Sequence, residues 1–134
     1  MSLIEFINVQ EIKDSRGDIQ VFEEFKNVPF DIKRVYCLTN MQGEPKGFHA
    51  HKNLQQVAVC LSGSCSFILD NGSVREEVEL KQTNQGLIIK SMIWREIKTF
   101  SENCVIMVLA SEYYNEEDYI RDYNDFKIQA QKTD

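Results

Sequence analysis

His49 and His51 are the only histidines in the chain, and they stand two apart in "KGFHAHKNLQQVAVCLSGS", residues 46–64. Two imidazoles at that spacing can ligate a metal, move protons, or sit idle on a solvated strand. In a strand, residues i and i+2 point to the same side. If "FHAH" is extended, both imidazoles face one way, and Phe48 and Ala50 face the other. Histidine titrates near neutral pH, so one ring can take a proton while its neighbour gives one. A pair on one wall of a pocket suits proton movement at adjacent carbons of one substrate. That describes tautomerisation through an enediol better than hydrolysis. The chain carries no G-x-S-x-G elbow, no glycine-rich phosphate loop and no paired-carboxylate signature.

The metal reading is weighed against a known pattern. The first cupin motif is G-x5-H-x-H-x3,4-E-x6-G, and Gly43, His49, His51 and Gly63 fit its frame, with Gln56 in place of the carboxylate. The second motif, G-x5-P-x-G-x2-H-x3-N, keeps its first glycine at Gly86, but Met92, Trp94, Ile97 and Ser101 fill the other positions. A cupin metal site uses three histidines and a carboxylate. Two histidines and an amide are a weak ligand set, so no metal and no cofactor is expected.

The elements that must hold these residues are short and β-rich. "LIEFINV", "IQVFEEF" and "FDIKRVYCLTN" alternate in the manner of half-buried strands. "DSRGD" is a turn and "MQGEPKG" a loop. Ser62-Gly63 and Asn71-Gly72 both read as hairpin turns, the second more strongly. Many short strands separated by turn residues predict an all-β sandwich or jelly-roll barrel. Within "NEEDYIRDYNDFKIQAQK", Tyr119, Ile120, Tyr123 and Phe126 recur at roughly helical spacing. That predicts one or two short helices over about 115–132, packed outside the barrel.

Size and charge narrow the field. At 134 residues the chain suits a single domain, 1–134. A net charge of −6 argues against non-specific nucleic-acid binding. No apolar run approaches the roughly 20 residues of a membrane span, and the first residues lack the long apolar stretch of a secretory signal. Cys37, Cys60, Cys65 and Cys104 form no C-x-x-C pair and lie in strand-like stretches. They read as buried free thiols in a reducing cytoplasm.

"DSRG", "PFDIKRVYCLTN", "KGFHAHKNLQQVAVCLSGS", "GLIIKSMIWREI" and "CVIMVLASEYYNEEDYIRDYNDF" resemble, in order and spacing, the dTDP-4-keto-6-deoxyglucose 3,4-ketoisomerases of the cupin superfamily. The likeness spans roughly residues 4–128. It implies a cupin-type jelly roll, a homodimer and no cofactor. The implied substrate is dTDP-4-keto-6-deoxyglucose, and the 3-keto product feeds a PLP-dependent 3-aminotransferase. It also implies acid/base roles for His49 and His51, with His49 the preferred carbon base and the two roles exchangeable. Tyr36 becomes a candidate hydroxyl donor, and Arg34, on the same strand face, a candidate diphosphate ligand. Arg16, Lys46, Arg95 and Trp94 are the further expected substrate contacts. Lys46 stands where members usually carry arginine, which keeps the charge but loses the bidentate fork. Gluco- and galacto-forming members diverge at the positions of Arg16 and Arg95. Arginine at both leaves the C4 configuration open, with a lean to galacto from the overall likeness. The competing readings are a dTDP-sugar 3,5-epimerase and a non-catalytic sugar-nucleotide binder.

Overall fold

Alternation along the strands builds the core. On β6 (Gln56–Ser62), Ala58 and Cys60 turn inward and meet Cys65, Phe67 and Leu69 of β7 (Cys65–Asp70). Leu87 and Ile89 of β9 (Gly86–Ile89) and Ile106 and Val108 of β11 (Val105–Ala110) complete that cluster. The opposite face of β6, Val57 and Val59, is covered by Val28 and Phe30 from the segment before β4 (Arg34–Leu38). A strand buried on both faces reads as a continuous apolar run, and "VAVC", residues 57–60, does so.

The computed structural model describes residues 2–132. The remaining elements are β1 (Phe6–Ile7), β2 (Gln10–Asp14), β3 (Gly17–Val21), β5 (Lys46–His51), β8 (Arg75–Leu80), β10 (Trp94–Lys98), β12 (Tyr119–Ile120) and α1 (Tyr123–Lys132). One five-stranded sheet runs β1-β9-β6-β11-β4 and the other β12-β5-β10-β7-β8, with β2 and β3 as a separate hairpin. The jelly-roll expectation matches this arrangement.

Several local expectations are corrected. Asn71-Gly72 does turn a hairpin, β7 into β8: Asn71 Oδ1 accepts from the Ser73 and Val74 backbone N–H groups at 2.9 and 2.8 Å. Ser62-Gly63 does not, because β6 and β7 belong to different sheets and this turn carries the chain between them. Gly63 has φ +71°, and a Cβ there would lie 2.0 Å from Ser101 Oγ, so only glycine fits the crossing. "LIEFINV" supplies only the two paired residues of β1. Cys37 is exposed on the outer face of β4, not buried.

The C-terminal segment meets the expectation of one or two short helices with a single α-helix, preceded by a 3-10 turn and an edge strand that the expectation did not include. Glu116–Asp118 makes a single 3-10 turn, capped by Asn115 Oδ1, which accepts from the Glu117 N–H at 3.1 Å. Tyr119 and Ile120 then pair with His51 and Ala50 as an added edge strand. Helix α1 follows and packs Phe126 and Ala130 onto Ala50, Trp94 and Ile120, outside the barrel.

Candidate active site

Strand β5 carries both histidines, and its entry is irregular. Gly47 has φ +89° and Phe48 φ +58°. Across the ladder, Arg95 faces His49 while the next residue, Glu96, faces Gly47, so Phe48 is the extra residue of a β-bulge. A Cβ at Gly47 would come within 2.9 Å of the Arg95 carbonyl oxygen. Glycine therefore lets β5 and β10 close at the bulge. Beyond it the alternation resumes as the sequence predicts: Ala50 is buried beneath α1, and both imidazoles turn to the other side. Their ring centroids are 4.9 Å apart, edge to face at 85°.

Each imidazole is anchored through Nδ1. His49 Nδ1 lies 3.1 Å from the Gly47 carbonyl oxygen, and His51 Nδ1 lies 3.2 Å from Asp118 Oδ2. A carbonyl or carboxylate oxygen can only accept, so Nδ1 carries the proton in both rings. Each Nε2 is left with a lone pair, and His51 Nε2 is buried with no protein partner. Burial first, then the Arg95 charge, lowers His49 to about 4 and His51 to about 2. The Asp118 carboxylate opposes that drop at His51, yet the ring stays neutral at pH 7. The contact is thus a neutral N–H donating to a carboxylate, not an ion pair. Asp118 is itself held by the Asn53 and Leu54 N–H groups, at 2.8 and 3.3 Å.

Beneath the histidines lies a buried polar chain. Arg95 donates through Nη1 to Gln56 Oε1, and Gln56 Nε2 donates to Tyr36 Oη at 2.7 Å. Arg95 Nη2 donates to the Ile93 carbonyl at 3.1 Å, and Arg95 Nε has no partner. Burial lowers Arg95 to about 10, so it stays charged at neutral pH. It makes no ion pair among the described residues. A guanidinium buried without a carboxylate marks a place for an anion. The Tyr36 hydroxyl, accepting from Gln56, keeps its own proton available, and burial is the main reason its pKa is raised.

Two cavities meet at Tyr119. One, of about 290 Å³, is lined by Tyr36, Lys46, His49, Gln56, Arg95 and Arg121, over a floor that includes Ala58 and Phe67. The other, of about 470 Å³, is lined by Arg34, His51, Asp118 and the "EYYN" stretch of residues 112–115. The Tyr119 ring lies 5.0 Å from His49 and 4.3 Å from His51. The Arg121 guanidinium stacks on it at 4.2 Å and is clamped by Glu116.

The structure sets Tyr36, Lys46, His49 and Arg95 around one cavity, and Arg34 and His51 around the adjoining one. It does not bring in Trp94, whose side chain lies on the outer face of β10 against Tyr123 and Phe126, with its indole N–H donating to Glu96 Oε2 at 3.0 Å. Neighbouring strand residues face opposite ways, so Arg95 inside requires Trp94 outside. Nor does it bring in Arg16, at the β2–β3 turn, which pairs with Asp14 and is 88% exposed. Asp118, Tyr119 and Arg121 were not singled out from the sequence. Their signal was the "NEEDYIR" block itself, which the helical spacing disguised.

A jelly-roll barrel with two neutral imidazoles and a buried guanidinium set around two adjoining cavities has the cupin-like fold and the side-chain groups of an isomerase. Residues 2–131 match the family model described as "FdtA: WxcM-like, C-terminal". The chain belongs to that family of sugar-nucleotide 3,4-ketoisomerases. It is 53% identical over 122 residues to the TDP-4-oxo-6-deoxy-alpha-D-glucose-3,4-oxoisomerase of Aneurinibacillus thermoaerophilus, covering 90% of this chain and 88% of that one. A variant of the 3,4-ketoisomerase QdtA from Thermoanaerobacterium thermosaccharolyticum, solved with TDP-4-keto-6-deoxyglucose, superposes with a TM-score of 0.94 at 39% identity, over 98% and 96% of the two chains. The TDP-quinovose 3,4-ketoisomerase WlaRB of Campylobacter jejuni gives a TM-score of 0.90 at 41% identity, over 96% and 99%.

Proposed function

We infer that this chain is an isomerase that converts dTDP-4-keto-6-deoxy-D-glucose to a dTDP-3-keto-6-deoxyhexose. The observation that carries the reading is the pair of Nδ1-anchored imidazoles, each with Nε2 unprotonated, beside a buried and unpaired Arg95.

The C4 ketone acidifies the C3 proton. His49 Nε2 takes that proton; in the free site it is the less depressed of the two rings, so it is the better carbon base. The electron pair moves into the C3–C4 bond, and Arg95 stabilises the resulting enediolate oxygen. His51, held by Asp118, carries the proton from the C3 hydroxyl to the C4 oxygen, with the Tyr36 hydroxyl as the alternative donor. Return of a proton to C4 gives the 3-ketone. A dianionic diphosphate held by Arg34 and Lys46 offsets the arginine charges and raises both imidazoles toward the working pH.

We further propose a homodimer. Strand β4 is an unpaired sheet edge, and the β2–β3 hairpin exposes the cross-strand pair Ile12 and Ile19. The product is a substrate for a PLP-dependent 3-aminotransferase. No helix among the described residues is long and apolar enough to cross a membrane. Three close, unoxidised thiols fit a cytoplasmic setting.

The test is proton NMR of the protein with dTDP-4-keto-6-deoxyglucose in EDTA, with an aminotransferase, PLP and glutamate trapping the product. A 3-amino sugar nucleotide is expected, and its H4 couplings give the C4 configuration. Intact substrate beside a proven aminotransferase would sink the reading in favour of a non-catalytic binder.

A further inference from the structure

Beneath the cavity floor lies a second group of reactive atoms that the isomerisation does not use. The sulfurs of Cys60, Cys65 and Cys104 all lie within 4.8 Å of one another, and Cys60 Sγ is 3.9 Å from Cys104 Sγ. All three residues are buried, and all are free thiols. Among the described residues this is the one cluster of three metal-ligating side chains. Its place is set by strand alternation. Ala58 on β6 and Phe67 on β7 line the catalytic cavity, and Cys60 and Cys65 are the next inward positions on those strands. That puts them roughly 7 Å along each strand from the floor. Cys104 closes the triangle at the entry to β11, under the turn in which its N–H donates to the Ser101 carbonyl at 3.2 Å.

We propose that Cys60, Cys65 and Cys104 form a trithiol site for a trivalent thiophile of the arsenous acid type.

Geometry and charge both select that class. A three-coordinate centre with metal–sulfur bonds of about 2.3 Å holds its sulfurs about 3.5–4 Å apart, which is the spacing already present between Cys60 and Cys104. Side-chain movements of less than an ångström bring in Cys65. The three cysteines belong to one buried hydrophobic cluster with Leu80 and Ile106, against which Leu38 and Phe100 pack, and the Cys60 thiol donates to the Ser62 carbonyl at 3.2 Å. Burial raises the Cys104 thiol to about 11 and pushes Cys65 higher still, so the apolar site resists holding thiolate charge. Three thiolates on a monovalent or divalent ion leave a net negative charge in the core, which is costly. Three thiolates on a trivalent centre leave none. Arsenous acid also enters as a neutral molecule. Three As–S bonds form and three As–O bonds break. Each hydroxide leaves as water with one thiol proton, and arsenic keeps its oxidation state.

The test is native mass spectrometry and thermal unfolding of the whole chain, kept reduced with a phosphine. Samples are incubated with arsenous acid, and parallel samples are refolded from denaturant in its presence so that slow entry cannot hide binding. Expected is a mass gain of one arsenic less three hydrogens per chain, with a raised unfolding midpoint. Both are retained in Cys37→Ala, whose thiol is exposed and alone, and both are lost in Cys65→Ala. Cys104→Ser, at the edge of the cluster, gives the same loss should Cys65→Ala fail to fold. An unchanged mass after refolding overturns the proposal. So does arsenic that persists in both cluster variants, or loss of two hydrogens to a Cys60–Cys104 disulfide in place of arsenic.

Discussion

Asp118 Oδ2 lies 3.2 Å from His51 Nδ1, although the two residues are 67 positions apart. The carboxylate is fixed by the Asn53 and Leu54 N–H groups, so the ring it holds is fixed too. This contact decides which nitrogen of His51 carries the proton and which keeps a lone pair.

Asp118→Asn tests that decision. An asparagine can still accept from one backbone N–H, but its amide can turn an N–H toward Nδ1. The imidazole proton then moves to Nε2, and the base becomes a donor. Positioned acid/base groups contribute about 10²–10⁴-fold, and a loss of about 100-fold in kcat with little change in KM is expected. Steady-state kinetics with the trapping aminotransferase in excess measure it. A parallel rise in KM, or a large drop in melting temperature, would assign Asp118 to structure alone.

Both histidines are depressed in the free protein, so the pH dependence has a definite sign. Between about pH 4 and the ordinary imidazole value of 6.5, the unfolded chain binds protons at these positions and the folded chain does not. Folding stability therefore rises with pH across that window, by about 1.4 kcal/mol per unit for each histidine. It is fully present above pH 6.5 and is lost on acidification. Denaturant titrations of wild type and His49→Gln at pH 7 and pH 5 should show a smaller acid loss in the variant. The acid limb of kcat/KM should fall near pH 4 rather than 6.5, since that profile reports the free enzyme.

Gln56 stands where the cupin frame has a carboxylate, and it joins Arg95 to Tyr36. Gln56→Ala orphans a buried guanidinium N–H and costs about 1–3 kcal/mol, read as a melting temperature several degrees lower. Gln56→Glu keeps an acceptor for Arg95 and retains stability. It reverses the contact with Tyr36, however: a carboxylate can only accept, so the Tyr36 hydroxyl must donate to it and is no longer free to donate to substrate. The glutamate variant is therefore expected to fold like wild type and to turn over at least 10-fold more slowly.

How much of this was legible in the sequence follows from which interactions are local. The i, i+2 rule put His49 with His51, and Arg34 with Tyr36, because strand alternation needs only the nearest neighbours. The same rule, applied to Trp94 and Arg95, forbids both from facing the cavity; the structure buries Trp94 under α1 instead. Asp118 and Tyr119 were hidden because one ends a single 3-10 turn and the other opens β12, a two-residue strand that exists only through its pairing with β5. Such a strand has no period of its own to detect. The bulge at Gly47 and Phe48 was hidden for the same reason, being a property of two strands together.

Arg16 gives the last prediction. It is exposed at the tip of the β2–β3 hairpin and lines neither cavity of its own chain. The hairpin pairs with no other strand, and it presents Ile12 and Ile19 side by side to solvent. In the proposed dimer this apolar pair rests on the second copy and carries Arg16 to that copy's site. Subunit complementation separates this from an idle surface arginine. Homodimers of Arg16→Ala are expected to be slow, and those of His49→Asn inactive. When the two are unfolded together and refolded in equal amounts, half of the dimers are mixed. Each mixed dimer holds one site with both an intact His49 and an intact Arg16. Activity of about a quarter of wild type is then expected. Mixed samples no faster than the average of the two parents would remove Arg16 from the partner's site. Ile12→Asp should shift the protein to monomers in sedimentation velocity and lower activity with it. A monomeric variant with full activity would remove the partner subunit from the site.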